Sequence, residues 1–361
     1  MSKSVLILAF IIATRFFGLF IILPVFSSEA LNLEHATEFL LGLTIGIYAI
    51  SQMIFQAPFG ALSDKIGRKI TILIGLVIFI IGSFICALAN DIYTMLFGRF
   101  FQGCGAVGAV ATAMVADLTS EQNRSKAMAI IGAMIGLSFI ISLVTAEPIC
   151  SKFGLEGLFY LSAFLSVICA VLLLVLPKEN IKFKTRKIKF AFLFSKSNLI
   201  ILNFANLVQK MFMSIMFFII PLHFARNANL ANLSQIYEIC GVFGLICMAL
   251  AGIFGDRHAK MLLIISFVLF AFSFLVFGDN FIYISVIAFF IAFCLNEPIL
   301  QSLASKASPV RFRGQMLGIF TSFGYFGSFL GGVIAGLFSL NLMIICAFAS
   351  IIVLIFLKKL S

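Results

Sequence analysis

The chain is 361 residues long, 62% hydrophobic and only 11% charged, with a mean hydropathy of +1.18. A soluble domain carries roughly a quarter of its residues as charges, so this composition excludes a protein dissolved in water. The net charge of +11 does not argue for nucleic acid, because the cations gather in short links between apolar runs.

At about 20 residues per spanning helix, the length accommodates about a dozen spans and leaves little for a soluble domain. The apolar runs predict six spans at Val5–Phe26, Phe39–Leu62, Ile70–Ala89, Tyr93–Ala116, Ala127–Ile149 and Leu158–Leu176. Six more follow at Leu199–His223, Leu233–Phe254, Met261–Phe277, Phe281–Leu303, Met316–Phe338 and Leu342–Leu357. The first run carries Arg15 in its middle and no small-residue cleavage pattern, so it reads as a retained span and not a signal peptide. The expected organisation is an N-terminal six-helix bundle over 1–176, a basic linker over 177–197 and a C-terminal six-helix bundle over 198–361.

Lys and Arg set the orientation. With the N-terminus inside, the inner links hold Lys65, Arg68, Lys69, Arg124, Arg257, Lys260, Arg311 and Arg313, and the outer links only Lys152 and Arg226. Both termini are then cytoplasmic. The linker interleaves Lys178, Lys182, Lys184, Arg186, Lys187 and Lys189 with Ile181, Phe183, Ile188 and Phe190. That pattern suits a segment lying on anionic headgroups, with a regulatory or lipid-sensing role as the alternative. The eight cysteines lie in or beside spans with no C-x-x-C pair or metal spacing, and read as small packing residues. No metal site and no cofactor is expected.

The two halves repeat one another. Gly60, Asp64, Lys65 and Arg68 recur in spacing as Gly252, Asp256, Arg257 and Lys260. Leu23-Pro24 matches Ile220-Pro221, and Asp91-Ile92-Tyr93 resembles Asn280-Phe281-Ile282-Tyr283. A hairpin signature duplicated in an apolar chain is a mark of transporters built from internal repeats.

The first copy, Gly60-Ala61-Leu62-Ser63-Asp64-Lys65-Ile66-Gly67-Arg68-Lys69, joins two spans by a link too short for anything but a tight turn. It resembles the signature loop G-x-x-x-D-(R/K)-x-G-R-(R/K) of the major facilitator superfamily at every signature position. Thr14-Arg15-Phe16-Phe17-Gly18, Leu23-Pro24-Val25 and Gln56-Ala57-Pro58-Phe59-Gly60 are similar to YajR-like members of its drug:proton antiporter branch. The resemblance covers essentially the whole chain. It implies an all-α membrane protein with twelve transmembrane helices in two pseudo-symmetric six-helix bundles. The implied activity is secondary active transport by alternating access in the inner membrane, acting as a monomer on a small molecule, with protons and membrane lipids as partners. It also implies a gating switch made of Gly60, Asp64, Lys65, Gly67, Arg68 and Lys69, with Asp117, Arg124, Asp256 and Arg257 joining the charge network. Asp64 would reach the start of span eleven near Gly314 and Gln315.

Charges inside spans are costly and mark functional sites or buried pairs. Glu297 lies near the middle of span ten, and an ion pair with Lys210 of span seven is the plainer alternative to a proton or substrate role. Arg99, in Arg99-Phe100-Phe101-Gln102-Gly103, resembles the superfamily's R-x-x-x-G motif, whose arginine is linked to proton coupling; snorkelling toward the outer surface is the alternative. Gly103, Gly105 and Gly108 beside it read as packing glycines. Glu147 replaces the glycine before Pro148 where antiporters show G-P-x-x-G-G, a departure that leaves transport direction open. It either carries a proton or cationic substrate, or is wet at the rim. Arg15 needs a partner, and Glu147 is a candidate. Glu238 lies closer to the outer face. The function expected is proton-coupled efflux of small apolar or cationic compounds. Uptake of a specific metabolite, or a receptor or scaffold without transport, are the alternatives. An enzyme is not expected, because His35, His223 and His258 lie at span ends with no nucleophile or metal constellation beside them.

Overall fold

A computed structural model describes residues 3–119, 121–176, 197–227, 233–308, 313–338 and 342–358. The chain divides into two compact units, Met1–Lys187 and Ile188–Ser361. All but Ser197 of the basic linker predicted over 177–197 lies outside the described residues.

In the first unit, the helices are α1 (Lys3–Phe20), α2 (Leu23–Glu29), α3 (Glu38–Ile66), α4 (Arg68–Ala87), α5 (Ile92–Cys104), α6 (Gly108–Asp117) and α7 (Glu121–Val175). The second unit holds α8 (Ser197–Arg226), α9 (Leu233–Leu275), α10 (Ile282–Ala307), α11 (Arg313–Phe338) and α12 (Leu342–Lys358). Nine helical stretches among the described residues are long and apolar enough to cross a membrane. One of them, Ile130–Val175, runs for 46 residues and turns at Gly154 (φ 69°), which makes it two spans. The shorter pair α5 and α6 forms one interrupted span, and α12 is the last. The twelve predicted spans are all accounted for.

Two breaks were not expected. Span one is interrupted at Ile21–Ile22, where Pro24 takes the first turn of α2 and needs no amide partner there. Span four is interrupted between Cys104 and Gly108. In both cases the apolar run is continuous in sequence, so hydropathy alone reads a single helix.

Local sequence explains several ends. Thr37 caps α3 by accepting from the Leu40 amide at 3.2 Å. Gly67 joins α3 to α4 at φ +96°, a backbone that L side chains rarely adopt, while nothing described crowds its missing Cβ. The glycine is therefore required by the turn and not by packing. Asp91 caps α5 with two 2.9 Å bonds from the Tyr93 and Thr94 amides and a 2.6 Å bond from the Thr94 hydroxyl. These Thr94 bonds, hydroxyl first, hold the Asp91 carboxyl below its ordinary value. A carboxyl depressed on folding stabilises fully above its unfolded pKa of about 3.9 and loses that contribution as pH falls below it. Asp91→Ala is accordingly expected to speed hydrogen exchange at the Tyr93 and Thr94 amides at pH 7, with the difference from wild type vanishing in strong acid.

Within the second unit, α11 lies along α8 and α10 along α9. Gly324, Gly327 and Gly331 form the α11 side of the first contact. A Cβ on Gly324 would sit 2.8 Å from Asn206 Nδ2, and on Gly327 and Gly331 it would strike the Leu207 and Met211 carbonyl oxygens. Backbone approaching backbone in this way is how small residues bind membrane helices together. Gly327→Leu is expected to lower Tm by several degrees or prevent recovery of folded protein, since overpacking costs about 1–3 kcal/mol; Gly318→Ala, where nothing described lies within 4 Å, should change little. Elsewhere in this unit, Ser273 and Ser285 tie α9 to α10 by reciprocal 2.8 Å bonds to each other's carbonyls.

Candidate functional site

Polar groups cluster at three places, two in the first unit and one in the second. At the α3–α4 turn, Arg68 is the hub. Its Nη1 lies 3.0 Å from Asp64 Oδ1, its Nε donates to Asp117 Oδ2 at 3.2 Å, and Nη1 also donates to Ser63 Oγ. One guanidinium thus holds the ends of α3 and α6 to the start of α4. The three side chains are only 12%, 22% and 26% exposed, so solvent screens the attraction incompletely. Lys69 turns the other way and donates to the Leu174 and Leu176 carbonyls at the end of α7. There a cation meets both orphan carbonyls and the negative end of the helix dipole.

Not every signature position is engaged. Lys65 is exposed, and Gly60 has no described atom within 4 Å of a notional Cβ. The side chains of Arg124, Asp256, Arg313 and Gly314 lie outside those described. In the second copy of the hairpin, Lys260 donates to the Lys358 carbonyl at 3.2 Å. That contact caps the last span as Lys69 caps the sixth, one signature position earlier, and gives the sequence repeat a structural counterpart.

The second cluster surrounds Arg99, which is 1% exposed. Snorkelling is thereby overturned: the guanidinium points into the unit. It donates to Gln102 Oε1 at 2.7 Å and stands 4.7 Å over the Tyr48 ring. Gln102 passes the chain on to Ser83 Oγ at 2.7 Å, and Ser83 to the Phe79 carbonyl at 2.8 Å. Among the described residues no carboxylate pairs with Arg99. Its charge is held by neutral dipoles and a ring face, while its Nε and Gln52 Oε1 remain unbonded. Gly103 permits this core, because a Cβ there would lie 2.7 Å from Ser51 Cβ.

Arg15 does not pair with Glu147, as the sequence suggested it might. Its Nη2 instead donates to the Gly105 carbonyl at 2.6 Å. The reason is the break in span four: unwinding after Cys104 exposes a carbonyl inside the unit, and a buried one must find a donor. Gly105 itself packs on the α4 backbone, with Phe79 N 3.3 Å from a notional Cβ. Gly108 meets nothing within 4 Å and simply starts α6, so of the three predicted packing glycines it is the exception. Glu147 is half-buried and within electrostatic reach of Glu29, which Glu156 also reaches.

The third cluster is in the second unit. Lys210 Nζ lies 2.8 Å from Glu297 Oε1, pairing α8 with α10 as the sequence allowed. Gln209 donates to Glu297 Oε2 at 2.7 Å, and Gln301 to Oε1 at 3.1 Å. Lys210 also stands 5.3 Å over the Phe293 ring. Both carboxylate oxygens are therefore occupied, yet the pair keeps 20% and 21% exposure. Sequence reasoning missed Gln209 and Gln301; their spacing from Lys210 and Glu297, i−1 and i+4, is the signal that was available. Glu238 is exposed and bonded weakly to Ser234 at 3.5 Å.

These features define a multi-pass membrane transporter, with six spans in each unit and charged clusters inside them. The family model described as Major Facilitator Superfamily matches residues 5–332, and the chain belongs to that family. It is 33% identical over 343 residues to the inner membrane transport protein YajR of Escherichia coli, across 90% of this chain and 75% of that one. To the quinolone resistance protein NorA of Staphylococcus aureus it is 26% identical over 360 residues, across 93% of this chain and 90% of the other. Among solved structures, a D-xylose-proton symporter superposes with a TM-score of 0.79 at 16% identity, covering 99% of this chain and 97% of its own. That likeness speaks for the fold.

Proposed function

We propose that this transporter exports small apolar or cationic compounds in exchange for protons, residing in the inner membrane with both termini cytoplasmic. The observation that carries the reading is the Glu297 carboxylate, held inside a span by one ammonium and two amides. Each of those partners is exchangeable. A proton on Glu297 removes its negative charge and releases Lys210; a cationic compound takes the same oxygens from Lys210. Proton and cargo then exclude one another at one group, which is the minimum an exchanger requires. The Arg68 cluster serves as the switch, because changing its carboxylate partners would change how the ends of three helices are held. Arg99 and Arg15 support this machinery from within the first unit, and Glu147 and Glu238 offer further carboxylates toward the outer side. The resistance function in the name of the NorA relative agrees with export, and the Lys and Arg distribution agrees with the orientation. A glutamate before Pro148, where antiporters carry glycine, favours uptake of a specific metabolite as the second reading.

The test is accumulation of a fluorescent lipophilic cation in cells producing the protein. Export predicts lower accumulation than in cells producing Glu297→Gln, with the difference lost when a protonophore collapses the gradient. Higher accumulation in the wild type would establish the uptake reading instead.

A further inference from the structure

The Glu297 carboxylate is bonded unequally on its two oxygens. Oε1 accepts from Lys210 Nζ at 2.8 Å and from the Gln301 amide at 3.1 Å. Oε2 accepts from the Gln209 amide nitrogen at 2.7 Å. Gln209 is 0% exposed, and its own amide oxygen is buried without a hydrogen-bond partner. The arrangement that suits the carboxylate therefore leaves a free acceptor on the same amide that holds Oε2.

The three partners differ in what they can do once Glu297 takes a proton. An ammonium has donors alone and cannot accept from a carboxylic acid. A glutamine amide carries a carbonyl oxygen beside its two donors, and its terminal torsion is broad and roughly two-fold. Turning that torsion over puts oxygen where nitrogen stood, with almost no change of shape and so no repacking of the core. Gln301 has the same chemistry, but it shares its carboxylate oxygen with Lys210. A proton on that oxygen would face an ammonium.

Among the described residues, the charged and titratable groups placed near Glu297 are Lys210 of α8 and, on its own helix, Cys294. From α11, the uncharged Gly324 packs on the Lys210 stem. From α9, Phe270 and Phe274 pack on Phe289, about two turns earlier in α10.

We propose that Gln209 is the positioning residue for the coupling proton. The proton binds Glu297 at Oε2, on the lone pair that accepted from Gln209. The Gln209 amide then turns over, and its oxygen accepts from the new O–H. No proton passes to the amide. Oε1 becomes the carbonyl oxygen of a neutral acid, so Lys210 loses its anion and is freed, as the exchange cycle requires. Glu297 thus keeps Gln209 as a partner in both protonation states. The inference rests on the exchange reading of Glu297 and adds to it the atom that carries the proton.

Difference infrared spectra of the purified protein between alkaline and acid buffer test this, with isotope-labelled glutamine marking the side-chain carbonyls. Acidification is expected to raise a carboxylic-acid band that Glu297→Gln removes. With it, one glutamine carbonyl band should move to lower frequency, as an oxygen without a partner becomes an acceptor. Gln209→Met should abolish the glutamine shift and move the acid band to higher frequency, because the O–H has lost its acceptor. Gln301→Met should leave the glutamine shift in place. The labelled wild type reads that shift without any substitution, so the test does not depend on the stability of the variants. An acid band from Glu297 with no glutamine shift, or with a shift that survives Gln209→Met, would overturn the proposal and leave Glu297 as the proton carrier. Spectra with no acid band from Glu297 would overturn it together with the exchange reading.

Discussion

Arg68→Ala is expected to reduce transport about a hundredfold while leaving a protein that inserts and folds. The guanidinium makes the hydrogen-bonded contacts that join the ends of α3 and α6 to the start of α4. Charge-assisted bonds of this kind contribute about 1.5–3 kcal/mol each, and their partial exposure places the pair of them at about 3 kcal/mol together. Removal leaves Asp64 and Asp117 side by side with no cation between them, adding repulsion to the loss. A shift of about 3 kcal/mol is about a hundredfold in an equilibrium constant, enough to strand a transporter in one state. The folded unit should survive, because the cluster lies at the helix ends, outside the apolar core of Leu76, Val107, Val110 and Met114. Asp117→Asn removes only one of the two carboxylates and should cost less. Initial rates of substrate flux, normalised to protein in the membrane, are the readout. Rates for Arg68→Ala within threefold of wild type would remove the cluster from the mechanism.

The second large effect is expected at Glu297. Glu297→Gln deprives Lys210 of its anion inside a span, and breaking a buried pair on one side costs about 3–5 kcal/mol. The fifth of surface that both partners keep places this case at the lower end. A bare carboxylate loss would therefore be visible both as a lower Tm and as lost coupling. Glu297→Gln/Lys210→Met separates the two, because it removes the stranded cation as well. The double variant is expected to regain most of the lost Tm and none of the coupled transport. If it recovered transport along with stability, the pair would be structural, and the coupling group would have to be sought among Glu147, Glu238 and Arg99.

The fold was legible because hydropathy writes helices in a membrane almost directly. Each span must satisfy its own backbone, so continuous apolar runs such as Ile282–Ala307 appear at nearly their observed length. The α3–α4 turn was equally plain, since Gly67 supplies a backbone conformation few other residues can. The break in span four was not legible, because Gly105 reads the same whether it allows close packing or ends a helix. Its cause is tertiary: α5 lies against α4, and Arg15 from another span supplies the donor that the freed carbonyl needs. For the same reason the partner of Arg15 was misread. Opposite charge suggested Glu147, but a backbone carbonyl created by unwinding has no signature in the sequence. Lys210 and Glu297 could be paired in advance because one cation and one anion face few choices inside a membrane. Arg99 offered no such clue, because glutamine, serine and a tyrosine ring hold it without any opposite charge.

The proposed transport cycle turns on exchange of protons for cargo at Glu297. Its most direct test is a pH-sensitive dye in everted membrane vesicles energised to an acid interior, while lipophilic cations are added one by one. Adding a transported cation to wild-type vesicles is expected to release protons, and to release none with Glu297→Gln/Lys210→Met at equal protein level. Release of the same size from the double variant, or cargo movement in the wild type with no proton signal, would contradict it.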